Sequence, residues 1–305
     1  MKRIFIVGTL VLLFSCFGSS LLALEAIKLA DGVYGIKGPG IDLNTAFVVG
    51  ERAVFVYGCA LNSYDERLEA IRKVSGGKPI RFVSNGHYAF DDTGCNHLFA
   101  EQGATVIGTP ELAKLLLPYW PERQAEELKR GRVKKEHLEG KRVEMAMPVI
   151  QFNDKLTLDL GSHMVEIHFV GKAHTPDNTI VWLPKEKILF VDDLLFVELH
   201  PTADGRSDVA NWQRILRNLA SWSPVTVVPG HGVFAPGNGT KPLLELDRYF
   251  ETMRSRIKAM KDAGKSLEEI KKGIRTELGE FAKWPRERAI PETTEQVYRE
   301  LAAQR

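Results

Sequence analysis

The sequence feature that most constrains the fold is a set of four metal-type motifs, each of which follows an apolar run typical of a β-strand. The motifs are centred on His87 with Asp91 and Asp92, on His174, on Asp193, and on His231. One such residue would mean little, but a rigid sheet can hold loop residues from several strand ends in fixed positions. The order of the motifs therefore predicts one site that is assembled from strand ends.

The first motif, residues 85–94, predicts a metal-binding loop. Alternate residues of an extended loop point the same way, so His87, Ala89 and Asp91 should share a side. Ala89 has no donor atom for a metal, whereas Asp92 has one. The alternative is that Asp91 and Asp92 lie at the start of a short helix, since Asp and Thr are common N-cap residues.

The later motifs differ in how strongly each one indicates a metal ligand. Glycines on both sides of His231 allow a tight turn that aims the ring, which makes this motif the strongest of the three. His174 precedes Thr-Pro-Asp-Asn, which is also ordinary turn chemistry, and Asp193 closes a strand that could simply end in a turn. His200 leads a loop that could line a cleft, and we predict a substrate contact there. The other histidines are predicted to be structural: His97, His137, His163 and His168.

The first residues predict export. Lys2 and Arg3 precede the apolar run 4–13 and small residues follow, which is the layout of a secretory signal peptide over residues 1–23. A membrane anchor is the alternative, but the run is shorter than the about 20 residues that a membrane helix needs. The residues before Cys16 resemble a lipoprotein cleavage site, so a lipid anchor there is a further alternative. We expect an exported, periplasmic protein without a stable membrane span.

The charge of the chain argues against polyanionic partners. Removal of Lys2 and Arg3 with the signal peptide takes the formal net charge of the 305-residue chain from +2 to 0 (2 − 2). A neutral protein has no global field that would attract nucleic acid or an acidic membrane. We therefore expect a small-molecule substrate and no nucleic-acid partner. The oligomeric state is left open.

Two cysteines, Cys59 and Cys95, remain once Cys16 leaves with the signal peptide. An even pair in an oxidising compartment is consistent with a disulfide. Both residues fall in loops after apolar runs, on the same side as the predicted site. A disulfide and two separate thiols are equally open.

Apolar periodicity predicts two mixed halves and a helical tail. The first half begins with an antiparallel meander over residues 26–57 and includes two separate helices over 110–117 and 122–130. From residue 241 onward apolar residues recur at helical spacing, so the tail should be helical and should pack on the core or form a dimer contact. In the second half, the apolar pattern predicts strands over 156–160, 164–170, 179–183, 187–191 and 225–228 and a helix over 209–219.

The order of the motifs and the residues within them resemble the metallo-β-lactamase superfamily over about residues 27–236. The resemblance implies an α/β fold, a four-layer αββα sandwich with metals at one edge. This domain would cover residues 24–240, and a C-terminal helical extension would cover 241–305. The signal peptide, the helix that contains Trp212 and the tail are together most similar to exported members linked to quinoprotein and sulfur-oxidation systems.

The first motif departs from the family pattern His-x-His-x-Asp-His and is therefore degenerate. Ala89 stands where the second histidine belongs, and Asp92 stands where the third belongs. Tyr57-Gly58-Cys59 replaces the usual Asp-x-Gly after an early strand. This replacement implies the loss of a support for the metal loop.

The resemblance implies two cation positions that share Asp193. The first keeps His87 and His174, and three protein ligands plus water is the pattern of an open catalytic zinc site. The second takes Asp91, Asp92, Asp193 and His231. Carboxylate in place of imidazole shifts the preference of the second position towards manganese, iron or magnesium. We expect one or two zinc ions, with manganese or iron as alternatives at the carboxylate-rich position.

The function implied by the resemblance is metal-dependent hydrolysis. A bound cation lowers the pKa of its water to about 7, and the metal-bound hydroxide would attack a lactam, lactone, ester or thioester. Asp91 would be the catalytic residue that orients the nucleophile. The alternative is a non-catalytic descendant that keeps the fold and binds a metal or another ligand, which Ala89 supports.

Overall fold

The computed structural model of the protein describes residues 24–234 and 236–303. The predicted signal peptide, residues 1–23, and the possible lipid site at Cys16 lie outside the described residues. The described chain forms two β-sheets that pack face to face, with helices on the outer face of each.

The first sheet has seven strands in chain order, β1 to β7. They are β1 Ala26–Ala30, β2 Val33–Ile36, β3 Thr45–Val49, β4 Val54–Tyr57, β5 Ile80–Ser84, β6 Thr105–Gly108 and β7 Ile150–Gln151. Strands β1 to β4 are antiparallel, which confirms the predicted meander, and β4 to β7 are parallel. The carboxyl ends of β4 and β5 therefore lie at the same edge, where the first motif begins.

The second sheet has five strands in the order β12-β11-β10-β9-β8. They are β8 Lys155–Asp159, β9 Met164–Gly171, β10 Asn178–Leu183, β11 Ile188–Phe196 and β12 Thr226–His231. The pairs β8–β9, β9–β10 and β10–β11 are antiparallel, and β12 is parallel to β11. Strands β9, β11 and β12 thus share a direction, and the three later motifs meet at one edge. Strand β11 is longer than predicted, so Asp193 lies within it rather than at its end.

Successive side chains of the central strands point to opposite faces of each sheet, so each strand packs against the other sheet on one face and against helices on the other. On β4, Phe55 packs between the sheets and Val56 packs under the helices of the first half. On β11, Phe190 packs between the sheets and Val191 packs against the helices of the second half. A strand that is buried on both faces gives this pattern. The predicted αββα sandwich with additional C-terminal helices is confirmed.

The helices are α1 Tyr64–Ser75, α2 Phe90–Thr93, α3 Asn96–Glu101, α4 Pro110–Arg130, α5 Val209–Ser221, α6 Thr240–Asp262, α7 Leu267–Glu277 and α8 Ile290–Ala303. None of the helices within residues 24–234 and 236–303 has both the length and the apolar character needed to cross a bilayer.

Helix α4 corrects one prediction, because a single helix replaces the two that the prolines suggested. Pro118 and Pro121 both lie inside it. A proline in a helix interior removes a hydrogen bond and costs about 3 kcal/mol or more. Leu116 and Trp120 are fully buried on this stretch of the helix. Their packing on the first sheet holds the helix together across the prolines.

The tail packs on the core. Helix α6 places Leu243, Tyr249 and Phe250 in the same apolar cluster as Trp212 of α5. The ring centroids of Trp212 and Phe250 are 4.9 Å apart. The sequence left open whether the tail packs on the core or forms a dimer contact, and in the structure it packs on the core. Helix α6 begins at Thr240, beside the predicted boundary between residues 240 and 241.

Candidate metal centre

The four motifs converge on the side chain of Asp193. The Nε2 atom of His231 lies 3.0 Å from its Oδ1 atom, and the Nε2 atoms of His174 and His87 lie 3.5 and 4.0 Å from its Oδ2 atom. The Oδ1 atom of Asp91 is 4.0 Å from His87 Nε2. Asp193 belongs to two groups of ligand atoms, His87 with His174 and Asp193, and Asp91 with Asp193 and His231, while a third group joins His87 to Asp92 and Asp192. The structure thus brings together five of the predicted ligands.

Hydrogen bonds at Nδ1 orient two of the imidazoles. The Nδ1 atom of His174 donates to the carbonyl oxygen of Thr202 at 2.9 Å, and that of His231 donates to the carbonyl oxygen of Ile41 at 2.8 Å. A carbonyl oxygen only accepts, so the proton of each ring is on Nδ1. When the ring is neutral, its lone pair is therefore on Nε2, which is the atom turned towards Asp193.

The third imidazole, His87, is oriented by a carboxylate. Its Nδ1 atom lies 2.6 Å from Oδ2 of Asp192, which is buried. Asp192 has a left-handed backbone with φ of 48°, an uncommon conformation for a residue with a side chain. Neighbouring residues Asp192 and Asp193 thus contact opposite nitrogens of one ring. A carboxylate behind a ligating histidine fixes the ring and raises its basicity.

Two glycines make room for this pair of acids. A Cβ atom on Gly86 would lie 2.2 Å from the Cβ of Asp192, and one on Gly230 would lie 2.4 Å from Oδ1 of Asp193. Neither distance is compatible with a side chain. The glycines of the first and last motifs therefore allow the backbone to approach the acids closely.

Burial and the closeness of the charges shift several pKa values. Burial alone would raise the pKa of Asp193, but His231, and then His87 and His174, hold it well below its usual range. Burial lowers the pKa of His174 to about 4, so this ring is neutral at pH 7. Burial and the neighbouring carboxylate of Asp92 raise the pKa of Asp192, and the ring of His87 opposes this rise. At neutral pH the carboxylate of Asp193 is thus charged and the ring of His174 is ready to ligate a cation.

Comparison with known proteins decides the family. The model of the Metallo-beta-lactamase superfamily matches residues 40–231, which is more than half of the chain. This protein belongs to the metallo-beta-lactamase superfamily. The matched region includes every residue of the two ligand groups.

Individual members of the superfamily match this chain either over a short segment or at low sequence identity. The chain is 35% identical over 96 residues to the metallo-beta-lactamase type 2 of Bacteroides fragilis, which covers 29% of this chain and 38% of that protein. It is 30% identical over 93 residues to metallo-beta-lactamase IND-1 of Chryseobacterium indologenes, which covers 28% and 38%. The chain thus spans little more than a third of these curated relatives. The solved metallo-beta-lactamase from Pontibacter korlensis is similar in fold, with a TM-score of 0.58, 20% identity and coverage of 75% of this chain and 99% of that one.

The structure does not bring Asp92 to the cation position that the family pattern implied. Its Oδ2 atom accepts the backbone N–H of His87 at 2.9 Å and lies on the Nδ1 side of that ring, at 3.6 Å. Its backbone carbonyl accepts from the side chain of Asn85 and from the backbone of Cys59. Because α2 is helical, successive residues point in different directions, and only Asp91 faces the other ligands. Asp92 instead holds the loop in place.

A disulfide supports the same loop. Cys59, which follows β4, is bonded to Cys95 at the start of α3, with their Cα atoms 5.7 Å apart. The backbone N–H of Cys59 also donates to the carbonyl of Asp92. The hydroxyl of Tyr57 donates to the carbonyl of Thr179 in the second sheet, at 2.7 Å. The replaced Tyr57-Gly58-Cys59 segment thus supports the loop by other contacts, where the sequence implied a loss.

The structure does not place His200 in a cleft. Its ring is fully buried, with Nδ1 at 3.0 Å from the hydroxyl of Tyr249 and the ring centroid 6.3 Å from that of Trp284. Both aromatic residues belong to the tail, which covers the loop that the sequence suggested was open. The expected substrate contact of His200 is therefore corrected.

The residues present fit a divalent cation of the kind that this superfamily implies. His87 Nε2 is buried and has no hydrogen-bond partner, and the buried atoms His231 Nε2 and Asp193 Oδ1 lie 3.0 Å apart without the geometry of a hydrogen bond. Such an atom costs about 1–3 kcal/mol when it stays unsatisfied. Nitrogen and oxygen donors that surround one gap satisfy a metal such as zinc.

Proposed function

We propose that this protein is a metal-dependent hydrolase that acts on a small carbonyl compound. The observation that carries the proposal is the orientation of three imidazoles. Each has an acceptor at Nδ1, and each turns Nε2 towards Asp193. Structural histidines have no need for this common direction, whereas metal ligands do.

We propose two cation positions. His87, His174 and Asp193 would hold one ion, and Asp91, Asp193 and His231 would hold a second. Zinc suits the nitrogen-rich position, and manganese or iron is the alternative where two carboxylates meet. A cation held there polarises a carbonyl oxygen and lowers the pKa of water to about 7.

Asp91 is the residue best placed to handle the nucleophile. Its side chain is 44% exposed, whereas that of Asp193 is 4% exposed, and it lines the adjoining cleft together with His231. A carboxylate at this border can accept a hydrogen bond from water and hold it for attack on a carbonyl carbon. Lactams, lactones, esters and thioesters all present such a carbon.

A specific observation favours a second candidate, a metal-binding protein without catalysis. Ala89 carries no donor, so the position formed by His87 and His174 has one protein ligand fewer than the family pattern gives. Loss of a group that supports a metal often costs about 10- to 100-fold in affinity or activity.

Metal content and turnover measured together test both candidates. We expect protein purified without added metal to contain up to two equivalents by elemental analysis, and Asp193→Asn to lose both together, since Asp193 belongs to both positions. We also expect the loaded protein to hydrolyse at least one member of a panel of one lactam, one lactone, one ester and one thioester, with the activity removed by a chelator. Metal binding without turnover would favour the second candidate. Absence of metal uptake on titration would contradict both.

We further propose that the protein is exported to the periplasm. The buried disulfide between Cys59 and Cys95 supports this proposal, because disulfides persist in oxidising compartments. The layout of residues 1–23 supports it as well. Fractionation with N-terminal sequencing should find the mature protein in the periplasm with its first residue near position 24. A cytoplasmic protein that begins at Met1 would contradict the proposal.

A further inference from the structure

A cleft of about 500 Å³ opens beside the metal centre. Asp91 and His231 line it, so a molecule in the cleft reaches two of the ligand side chains. Part of the wall is apolar and is formed by Pro39, Ile41, Leu61, Phe90 and Val133. Ile41 is 42% exposed, which leaves apolar surface for a ligand to cover.

Four arginines also line the cleft, and they fall into two pairs. Arg123 and Arg132 each lie 2.7 Å from a carboxylate oxygen of Glu127, so both form an ion pair within the protein. Arg286 and Arg288 form no ion pair with any carboxylate in the part of the chain that the structure describes. An arginine that lines a cleft without a partner is free to bind an anion from outside.

Arg286 lies close to the metal centre. Its guanidinium lies over the ring of Phe196, 4.8 Å from the centroid, and Phe196 stacks on His231 with centroids 5.1 Å apart. The Nη1 atom is buried and has no hydrogen-bond partner. Burial lowers the pKa of Arg286, and the carboxylates of Asp193 and Asp91 counter this effect. A cation at the centre would balance those carboxylates and leave the guanidinium available.

The tail holds Arg286 in this place. The backbone has a φ of 75°, in the left-handed region that a residue with a side chain rarely adopts. The preceding residue, Pro285, accepts a hydrogen bond from the backbone of His200 at 3.1 Å. Trp284 stacks on Tyr249, with centroids 5.3 Å apart. Packing of the tail thus imposes a strained conformation that places a charged group at the cleft, which is where functional strain is usually found.

We propose that Arg286 and Arg288 form an anion-binding subsite, and that the substrate is a carbonyl compound with an apolar portion and a carboxylate, sulfonate or phosphate group. The apolar portion lies against Ile41 and Phe90, and the reacting carbonyl lies near Asp91. This inference rests on the proposed function and names its substrate class. Hydrogen bonds between a guanidinium and an oxyanion are short and charge-assisted, so they fix the position of the substrate as well as its affinity.

Binding tests the subsite without requiring turnover. The probes are octane-1-sulfonate, whose head group is a weak metal ligand, and octan-1-ol, titrated by calorimetry into the zinc-loaded full chain. The sulfonate should bind about 10-fold tighter than the alcohol, and Arg286→Gln should remove this advantage. Arg288→Gln should weaken sulfonate binding several-fold, and Arg286→Lys should weaken it less than Arg286→Gln. The matched control is Arg256→Gln, an exposed arginine on α6 away from the cleft, which should bind as the unmodified chain does.

Equal binding of sulfonate and alcohol would overturn the inference, as would an unchanged affinity in both Arg286→Gln and Arg288→Gln. Thermal unfolding and zinc content establish that each variant is folded. If Arg286→Gln fails to fold, Arg288→Gln carries the test, because Arg288 is exposed.

Turnover separates this inference from the proposed function. We expect Arg286→Gln to lower kcat/KM for mono(4-nitrophenyl) adipate about 10-fold and to leave that for the neutral 4-nitrophenyl hexanoate within about 2-fold. An equal fall for both esters would show a general structural effect and overturn the subsite. If neither ester is hydrolysed while sulfonate binding still depends on Arg286, the hydrolase proposal is weakened and the subsite is supported.

Discussion

At the scale of single residues, Asp192 decides how well His87 can serve as a ligand. We predict that Asp192→Asn lowers zinc affinity about 10-fold, because the amide keeps an acceptor for Nδ1 but removes the charge that makes the ring basic. Asparagine also tolerates the left-handed backbone at this position. Competition with a chromophoric chelator measures the affinity. Asp154→Asn, at an exposed site, is the control and should bind zinc normally.

Ala89 carries the second prediction at this scale. Its backbone is extended, with φ of −63° and ψ of 153°, a conformation that histidine also adopts without strain. We predict that Ala89→His raises zinc affinity about 10-fold or more, since it adds a donor beside His87 and His174. Ala89→Leu supplies bulk without a donor and should not raise it. An unchanged affinity in the histidine variant would mean that the loop directs residue 89 away from the centre.

The candidate ligands could be located from the sequence more readily than the residues around them. His87, His174 and His231 lie in motifs whose glycines and turn residues mark a strand end, so their positions could be predicted. Asp192 could not, because an Asp-Asp pair does not reveal which acid faces Nδ1 and which faces Nε2. That choice depends on one left-handed backbone conformation. Arg286 could not be found either, since its approach to the cleft depends on how the tail packs.

At the scale of elements, apolar runs located the strands and the packing set their limits. Strand β11 continues to Phe196 because the residues after Asp193 are also buried. Helix α4 continues through Pro118 and Pro121 because burial of Trp120 offsets the lost hydrogen bonds. Local propensity predicts neither extension, since both depend on contacts between residues far apart in the chain.

Helix α3 gives a prediction about pH. Its residue His97 is fully buried and packs on Trp120, with centroids 5.4 Å apart. Burial lowers its pKa from 6.5 to about 4. Protonation of His97 is therefore less favourable in the folded state than in the unfolded state. Above pH 6.5 the ring is neutral in both states, so His97 does not make the free energy of unfolding depend on pH. As pH falls from 6.5 to 4, the free energy of unfolding should drop by up to about 3 kcal/mol from this residue alone.

Urea unfolding at pH 7 and pH 4 measures this effect in the unmodified chain and in His97→Gln. Glutamine cannot take up the proton, so the variant should lose less stability over the same interval. The stability difference between the two proteins should therefore shrink by about 3 kcal/mol towards pH 4. A difference that stays constant with pH would show that His97 does not resist protonation in the folded state.

At the scale of the whole molecule, the tail and the metal centre belong to one packed unit. Phe250 of α6 packs on Trp212 of α5, with centroids 4.9 Å apart, and Trp212 packs on the ligand His174 at 5.5 Å. The tail also provides Arg286 at the cleft. Packing of the extension therefore affects the candidate ligands, and the boundary between the superfamily domain and its extension is less sharp in space than in sequence.

This arrangement predicts that a substitution in the tail lowers the local stability of the second sheet. Phe250 is fully buried, and Phe250→Ala should lower the free energy of unfolding by about 3–5 kcal/mol. Because the lost ring packs on Trp212, hydrogen exchange should speed up in β11 as well as in α6. Zinc affinity should also fall, since Trp212 helps to hold His174. Faster exchange confined to α6, with normal zinc affinity, would show instead that the tail unfolds as a separate unit.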